Sequence, residues 1–129
     1  MMTILFIMIG GGIGAALRHG LFVLVQGMSA GEFPAGTMAV NLTGSFFIGL
    51  LWGLLEKVHL SPEFRLFIFT GLLGGFTTFS SFTRETAQLI KIGQIKEAVF
   101  YLSASNILGV LLVFIGFISA QHLLLVFSK

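Results

Sequence analysis

The chain has 129 residues, 56% of them hydrophobic and 9% charged, with a mean hydropathy of +1.03, a balance well outside that of soluble domains. Its seven basic and five acidic residues are scattered, which excludes the clustered basic patch of a nucleic-acid binder, and the lack of cysteine excludes disulfides and thiolate metal sites. What remains is a membrane protein.

A span needs roughly 20 mostly apolar residues. The charges leave room for four such runs, so the expected fold is all-α: one transmembrane domain over 1–129, with helices near 3–25, 35–56, 62–91 and 98–126. No positively charged n-region precedes the first run and Arg18 interrupts it late, so it reads as a retained span and not as a signal peptide. Its middle is GGGIGAALR, Gly10 to Arg18. Gly10, Gly12 and Ala15 match the spacing of a dinucleotide-binding loop, and Glu32 stands about 20 residues on. That fold needs alternating strands and helices, whereas span-length apolar sequence follows here. Gly10 and Gly14 instead suit the close approach of another helix. Arg18 either snorkels to the interface or lines an aqueous vestibule, where it attracts anions or pairs with a carboxylate.

Gln26 to Phe33 reads as a loop, and Pro34 suits the first turn of the second helix, where its missing N–H is not needed. Taken every fourth residue, Thr37, Asn41, Ser45, Gly49 and Gly53 form one stripe. It is polar at its start and small at its end, so it faces protein or a pore. Asn41 stands out because its amide offers two donors.

Glu56, Lys57, His59, Glu63 and Arg65 mark the next polar turn, with Ser61 as an N-cap and Pro62 at the first helical position. His19, His59 and His122 have no ligand-like neighbours in sequence, so no metal centre or catalytic triad is offered. An unbroken helix over 62–91 would be about 45 Å long, more than the roughly 30 Å hydrocarbon core requires. Within it lies GLLGGFTTFSSFTRE, Gly71 to Glu85: a glycine pair, then the hydroxyl residues Thr77, Thr78, Ser80, Ser81 and Thr83. A break near 74–78 resolves the length. Irregular backbone at membrane depth is tolerated only where it is buried in protein or lines a polar cavity. The second half-helix would start with hydroxyl caps, its positive dipole end favouring an anion, while freed carbonyls before it suit a cation. Arg84 and Glu85 follow near a water-filled mouth.

Lys91 to Glu97 reads as the last loop. On the fourth helix Tyr101, Ser105 and Gly109 repeat the polar-to-small stripe of the second. With four spans, Lys57, Arg65 and Lys129 fall on one side and Lys91 and Lys96 on the other. Such a weak bias hardly selects an orientation, and insertion both ways is expected.

Three motifs, GGGIGAALR at 10–18, NLTGSFFIG at 41–49 and GGFTTFSSF at 74–82, resemble the Fluc fluoride channels, also called the CrcB family. The resemblance covers nearly the whole chain. It implies an antiparallel, dual-topology homodimer in the cytoplasmic (inner) membrane, with two fluoride pores at the subunit interface. It implies a passive channel, not an enzyme, which lets cytoplasmic fluoride escape and so counters entry of neutral HF; the partners are fluoride, membrane lipid and a second copy of the chain. Carried over by the motifs, Phe79 and Phe82 face the pores, Asn41 is the asparagine of the second helix, and Tyr101 and Ser105 form a polar track. Gly109 stands where the family has a further serine. The resemblance also implies a central structural sodium ion held by the backbone carbonyls of Gly74 and Thr77 from both subunits.

Aromatic rings carry positive potential at their edges, so Phe79 and Phe82 can face an anion without trapping it. Fluoride gives up strong hydration on entry, and Ser80, Ser81 and Thr83 are additional donors nearby, with Arg18 and Glu85 at the vestibule. Two other readings compete. A proton- or sodium-coupled small-solute transporter of the small multidrug resistance type would rely on a carboxylate in the first span, and that span has none. A non-transporting membrane assembly factor is the third.

Overall fold

The computed structural model describes residues 2–29, 31–56 and 58–127. Lys57 and Lys129, two of the charges used to weigh orientation, lie outside the described residues. The described residues form α1 (Met2–Met28), α2 (Ala35–Leu55), α3 (Pro62–Leu66), a π-helical segment (Phe67–Leu73), α4 (Gly74–Phe76), α5 (Phe79–Lys91) and α6 (Ile95–Phe127). There is no strand among them. Four stretches, Met2–Met28, Ala35–Leu55, Pro62–Lys91 and Ile95–Val126, are long and apolar enough to cross a membrane.

Local chemistry explains most of the ends. Ser61 accepts a hydrogen bond from the Phe64 N–H at 3.2 Å, with Pro62 at the first helical position. α2 starts at Ala35, where it was expected; Pro34 takes the N-cap position and not the first turn, and has no side chain that can cap. Gln26, still helical at the end of α1, does so from across the turn: its Oε1 accepts from the Gly36 N–H at 2.9 Å and its Nε2 donates to Phe33 O at 3.1 Å. At the end of α5 the Gly93 N–H donates to Ile90 O and the Gln94 N–H to Leu89 O, with Gly93 at φ +84°. This paired closure needs a residue with positive φ after the cap. It reverses the chain so tightly that α6 begins at Ile95.

Glycines let backbones touch at two seams. A Cβ at Gly14 would lie 2.1 Å from Leu72 O, and one at Gly10 would lie 2.5 Å from Phe67 O. The small face of α1 is therefore pressed onto the π-helical segment. At the other seam α2 and α6 run parallel: a Cβ at Gly49 would meet Val113 O at 2.0 Å, and one at Gly53 would lie 3.0 Å from Phe117 O. With this register, the stripe Thr37, Asn41, Ser45, Gly49, Gly53 faces Tyr101, Ser105, Gly109, Val113, Phe117. The small end zips the helices together and the polar end is left to hold side chains. Large apolar residues such as Leu17, Leu24, Ile107, Phe114 and Ile118 point outward, as they must in lipid or against a second subunit.

Candidate functional site

The helical ladder stops at Phe76. Thr77 (φ −82°, ψ 158°) and Thr78 (φ −147°, ψ 120°) are extended, and α5 starts at Phe79. Such an interruption strands donors and acceptors, and the structure shows where they go. The Thr78 N–H, which would bond Gly74 O in a continuous helix, donates to Asn41 Oδ1 at 2.8 Å, while Asn41 Nδ2 donates to Thr78 O at 2.9 Å. The Asn41 amide thus grips the Thr78 backbone at both its groups. The Ser81 N–H, which would bond Thr77 O, donates to the Thr78 hydroxyl at 3.3 Å, and that hydroxyl donates to Ser81 Oγ at 3.0 Å. Gly74 O and Thr77 O are left without their helical donors. Arg18 Nη1 approaches Thr77 O at 3.5 Å, long for a hydrogen bond but close for a charge facing a carbonyl dipole.

Nearly two turns into α5, Glu85 ties three helices together. Its Oε1 accepts from the Thr37 hydroxyl at 2.8 Å and its Oε2 from the Tyr101 hydroxyl at 2.9 Å. Thr37 and Tyr101 are both buried. The carboxylate is held by neutral donors and makes no direct ion pair among the described residues.

Two cavities flank the break and share Thr78. One, of about 290 Å³, is lined by Arg18, His19, Thr37, Ser81, Arg84 and Glu85, among others. Two guanidinium groups against one carboxylate give it positive character, and the unbonded first N–H groups of α5 add to it. The other, of about 330 Å³, is lined by Asn41, Ser45, Gly74, Thr77, Thr78 and Phe79, with apolar neighbours. A charged cavity and a less charged one, edged by hydroxyls and an aromatic ring, thus lie on either side of Thr78 at the N-terminus of α5. That pair of surfaces suits a small anion shedding its water.

Some of the residues singled out from sequence line these cavities, whereas Phe82, Ser80, Thr83, Tyr101 and Ser105 line neither. Arg18, Ser81 and Glu85 line the first cavity, and Asn41, Gly74, Thr77 and Phe79 the second. Phe79 is 77% exposed, whereas Phe82 is 6% exposed and packs its ring against Tyr101 at 5.0 Å and 61°. Phe82, Tyr101, Leu89 and Ala98 make the best-buried apolar cluster. Ser105 Oγ is buried without a hydrogen-bond partner among the described residues. Ser80 and Thr83 are exposed and line neither cavity; the Thr83 hydroxyl donates to Ser80 O at 3.1 Å. His19 joins the first cavity without having been expected there, and Thr37, expected on a face towards protein or a pore, lines it too. For His19 a signal is present in the sequence: Ala15, Arg18, His19 and Phe22 follow helical spacing and share the cavity face.

The family model described as CrcB-like protein, Camphor Resistance (CrcB), matches residues 5–117. The chain is 44% identical over 124 residues to the fluoride-specific ion channel FluC of Parabacteroides distasonis, covering 96% of this chain and 97% of that one. To a protein of the same description from Thermus thermophilus it is 46% identical over 113 residues, covering 88% and 90%. To the one from Aquifex aeolicus it is 40% identical over 116 residues, covering 89% and 94%.

Proposed function

The chain belongs to the CrcB family, and from that premise we propose that it is a fluoride-selective passive ion channel that exports fluoride from the cytoplasm and lowers its toxicity. The observation that carries the reading is the pair of cavities meeting at Thr78. Fluoride enters the mouth under the attraction of Arg18 and Arg84, passes the N-terminus of α5, and moves on beside Asn41, the Phe79 ring edge and the hydroxyls of the α2–α6 seam. No proton acceptor is needed for this. The coupled-transporter alternative has no support: α1 contains no carboxylate, and the relatives carry the description of fluoride-specific channels.

The working unit is an antiparallel homodimer inserted in both orientations in the cytoplasmic membrane. A single chain leaves Phe79 and Gly74 exposed and both cavities open, so a second copy has to close the path. The nearly even loop charges favour dual insertion.

The break also fits a structural sodium ion. Gly74 O and Thr77 O have lost their helical donors, and hard carbonyl oxygens suit an alkali cation. These two carbonyls from each subunit would hold the ion, whose charge offsets repulsion among converging dipoles. Arg18 beside Thr77 O leaves one carbonyl lone pair for this role.

The test uses proteoliposomes loaded with potassium fluoride and treated with valinomycin. Fast fluoride efflux that requires valinomycin, with chloride excluded, is expected of the channel; electroneutral, proton-dependent flux would support a transporter, and no flux an assembly role. Exchanging all sodium for N-methyl-D-glucamine should lower the efflux. Undiminished flux from demonstrably sodium-free protein would remove the ion from the account.

A further inference from the structure

Ser45 lies one turn beyond Asn41 on the face of α2 that meets α6, and it lines the second cavity with Asn41, Thr77, Thr78 and Phe79. Helical hydroxyls in apolar surroundings commonly bond the carbonyl one turn back, as Thr86 and Ser119 do at 2.8 and 2.7 Å. The Ser45 hydroxyl makes no hydrogen bond among the described residues. Further along the same seam, Ser105 Oγ is buried and also unpartnered. Opposite Ser45 stands Gly109, where a Cβ would lie 3.5 Å from Ser45 Oγ, so the space beside the hydroxyl is kept clear by a glycine.

Resting on the channel reading above, we propose that Ser45 is a fluoride-contacting residue, its hydroxyl donating to the ion once Asn41 has been passed. The geometry has a physical logic. Asn41 already spends an oxygen and a donor on the Thr78 backbone, so it has only one N–H left for an anion. A dehydrated fluoride needs more than that, and a rotatable hydroxyl one turn away on the same face supplies the next donor. Because Gly109 offers none from α6, this duty falls to α2.

The experiment measures fluoride current through the full-length protein in planar bilayers, where HF carries no charge and is silent. Ser45→Val and Ser45→Thr have nearly the same shape, and only the second keeps the hydroxyl. Ser45→Val should reduce the current by about tenfold, the value of a hydrogen bond to a charged group, while Ser45→Thr stays within about threefold of the parent. In a Ser45→Ala background, Gly109→Ser should restore current by returning a hydroxyl to the same space from the opposite helix, and Gly109→Ala should not. Equal currents for the Val and Thr variants, or no rescue by Gly109→Ser in protein with the parent's elution profile, would overturn the assignment and leave Ser45 as packing. A parent that carries no fluoride current would instead overturn the channel reading, and the role of Ser45 with it.

Discussion

Replacing Asn41 with alanine is expected to abolish fluoride conduction and to weaken the fold in the same stroke. The substitution leaves the Thr78 N–H without its partner and removes the second donor of the Thr78 carbonyl, which as the N-cap of α5 keeps the first helical bond. A buried N–H left unpaired costs about 1–3 kcal/mol, and the part-buried Thr78 N–H loses up to that much, less where cavity water replaces Asn41. Thr78 borders both cavities, so its displacement also moves the N-terminus of α5 relative to the ion. Positioning errors of about 1 Å are worth on the order of 100-fold in rate at enzyme sites, and a loss of that order is expected here. Asn41→Asp keeps an acceptor for the Thr78 N–H but loses the donor to Thr78 O and adds a charge that repels the anion, so it should be no better. Efflux from proteoliposomes and the thermal midpoint of the detergent-solubilised protein read the two effects separately. An Asn41→Ala protein that conducts within about threefold of the parent would mean that the grip on Thr78 has no part in conduction.

Phe79→Ile should lower fluoride current by about tenfold or more with little change in the packing of the single chain. The side chain is 77% exposed in the single chain, so exchanging its ring for an aliphatic group of similar bulk removes little packing and mainly deletes the positive ring edge. Phe82 gives a less clean test. It is buried against Tyr101, and Tyr101 in turn holds Glu85, so Phe82→Ile disturbs packing as well as any ring edge. Phe76 packs towards α2 at Gly44, where a Cβ would lie 3.3 Å from its ring. Phe76→Ile should therefore reduce the yield of folded protein but spare the conduction of what folds. Parent-like current through Phe79→Ile would reduce the ring to a packing element and leave conduction to the polar side chains.

Local features of this molecule are legible in its sequence, and pairings between distant segments are not. Hydropathy and length suffice for four apolar stretches, and Ser61 with Pro62 announces a helix start through chemistry that acts within one turn. Gly10 and Gly14 announce a close contact but not its partner, the π-helical segment, since no residue preference marks that wider winding. The stripes on α2 and α6 are each visible, yet their mutual register depends on backbone contacts at Gly49 and Gly53. Sequence places Glu85 at a vestibule and Tyr101 on a polar track as if independent; one hydrogen bond joins them across 16 residues. Asn41 draws notice for the donors it could offer an ion, whereas most of its amide is spent on Thr78, 37 residues away. Pro34 marks the start of α2, but the cap comes from Gln26 on the preceding helix, ten residues away from the Gly36 N–H whose hydrogen bond it accepts.

Fluoride is expected to cross passively and alone. The most direct test is the reversal potential of the purified protein in a planar bilayer with a tenfold fluoride gradient, equal pH on both sides and chloride present symmetrically. The current should reverse near the fluoride equilibrium potential, about 59 mV from zero for a monovalent ion, and should stay there when a pH gradient is imposed. A reversal potential near zero, or one that follows the pH gradient, would contradict a fluoride-selective passive channel.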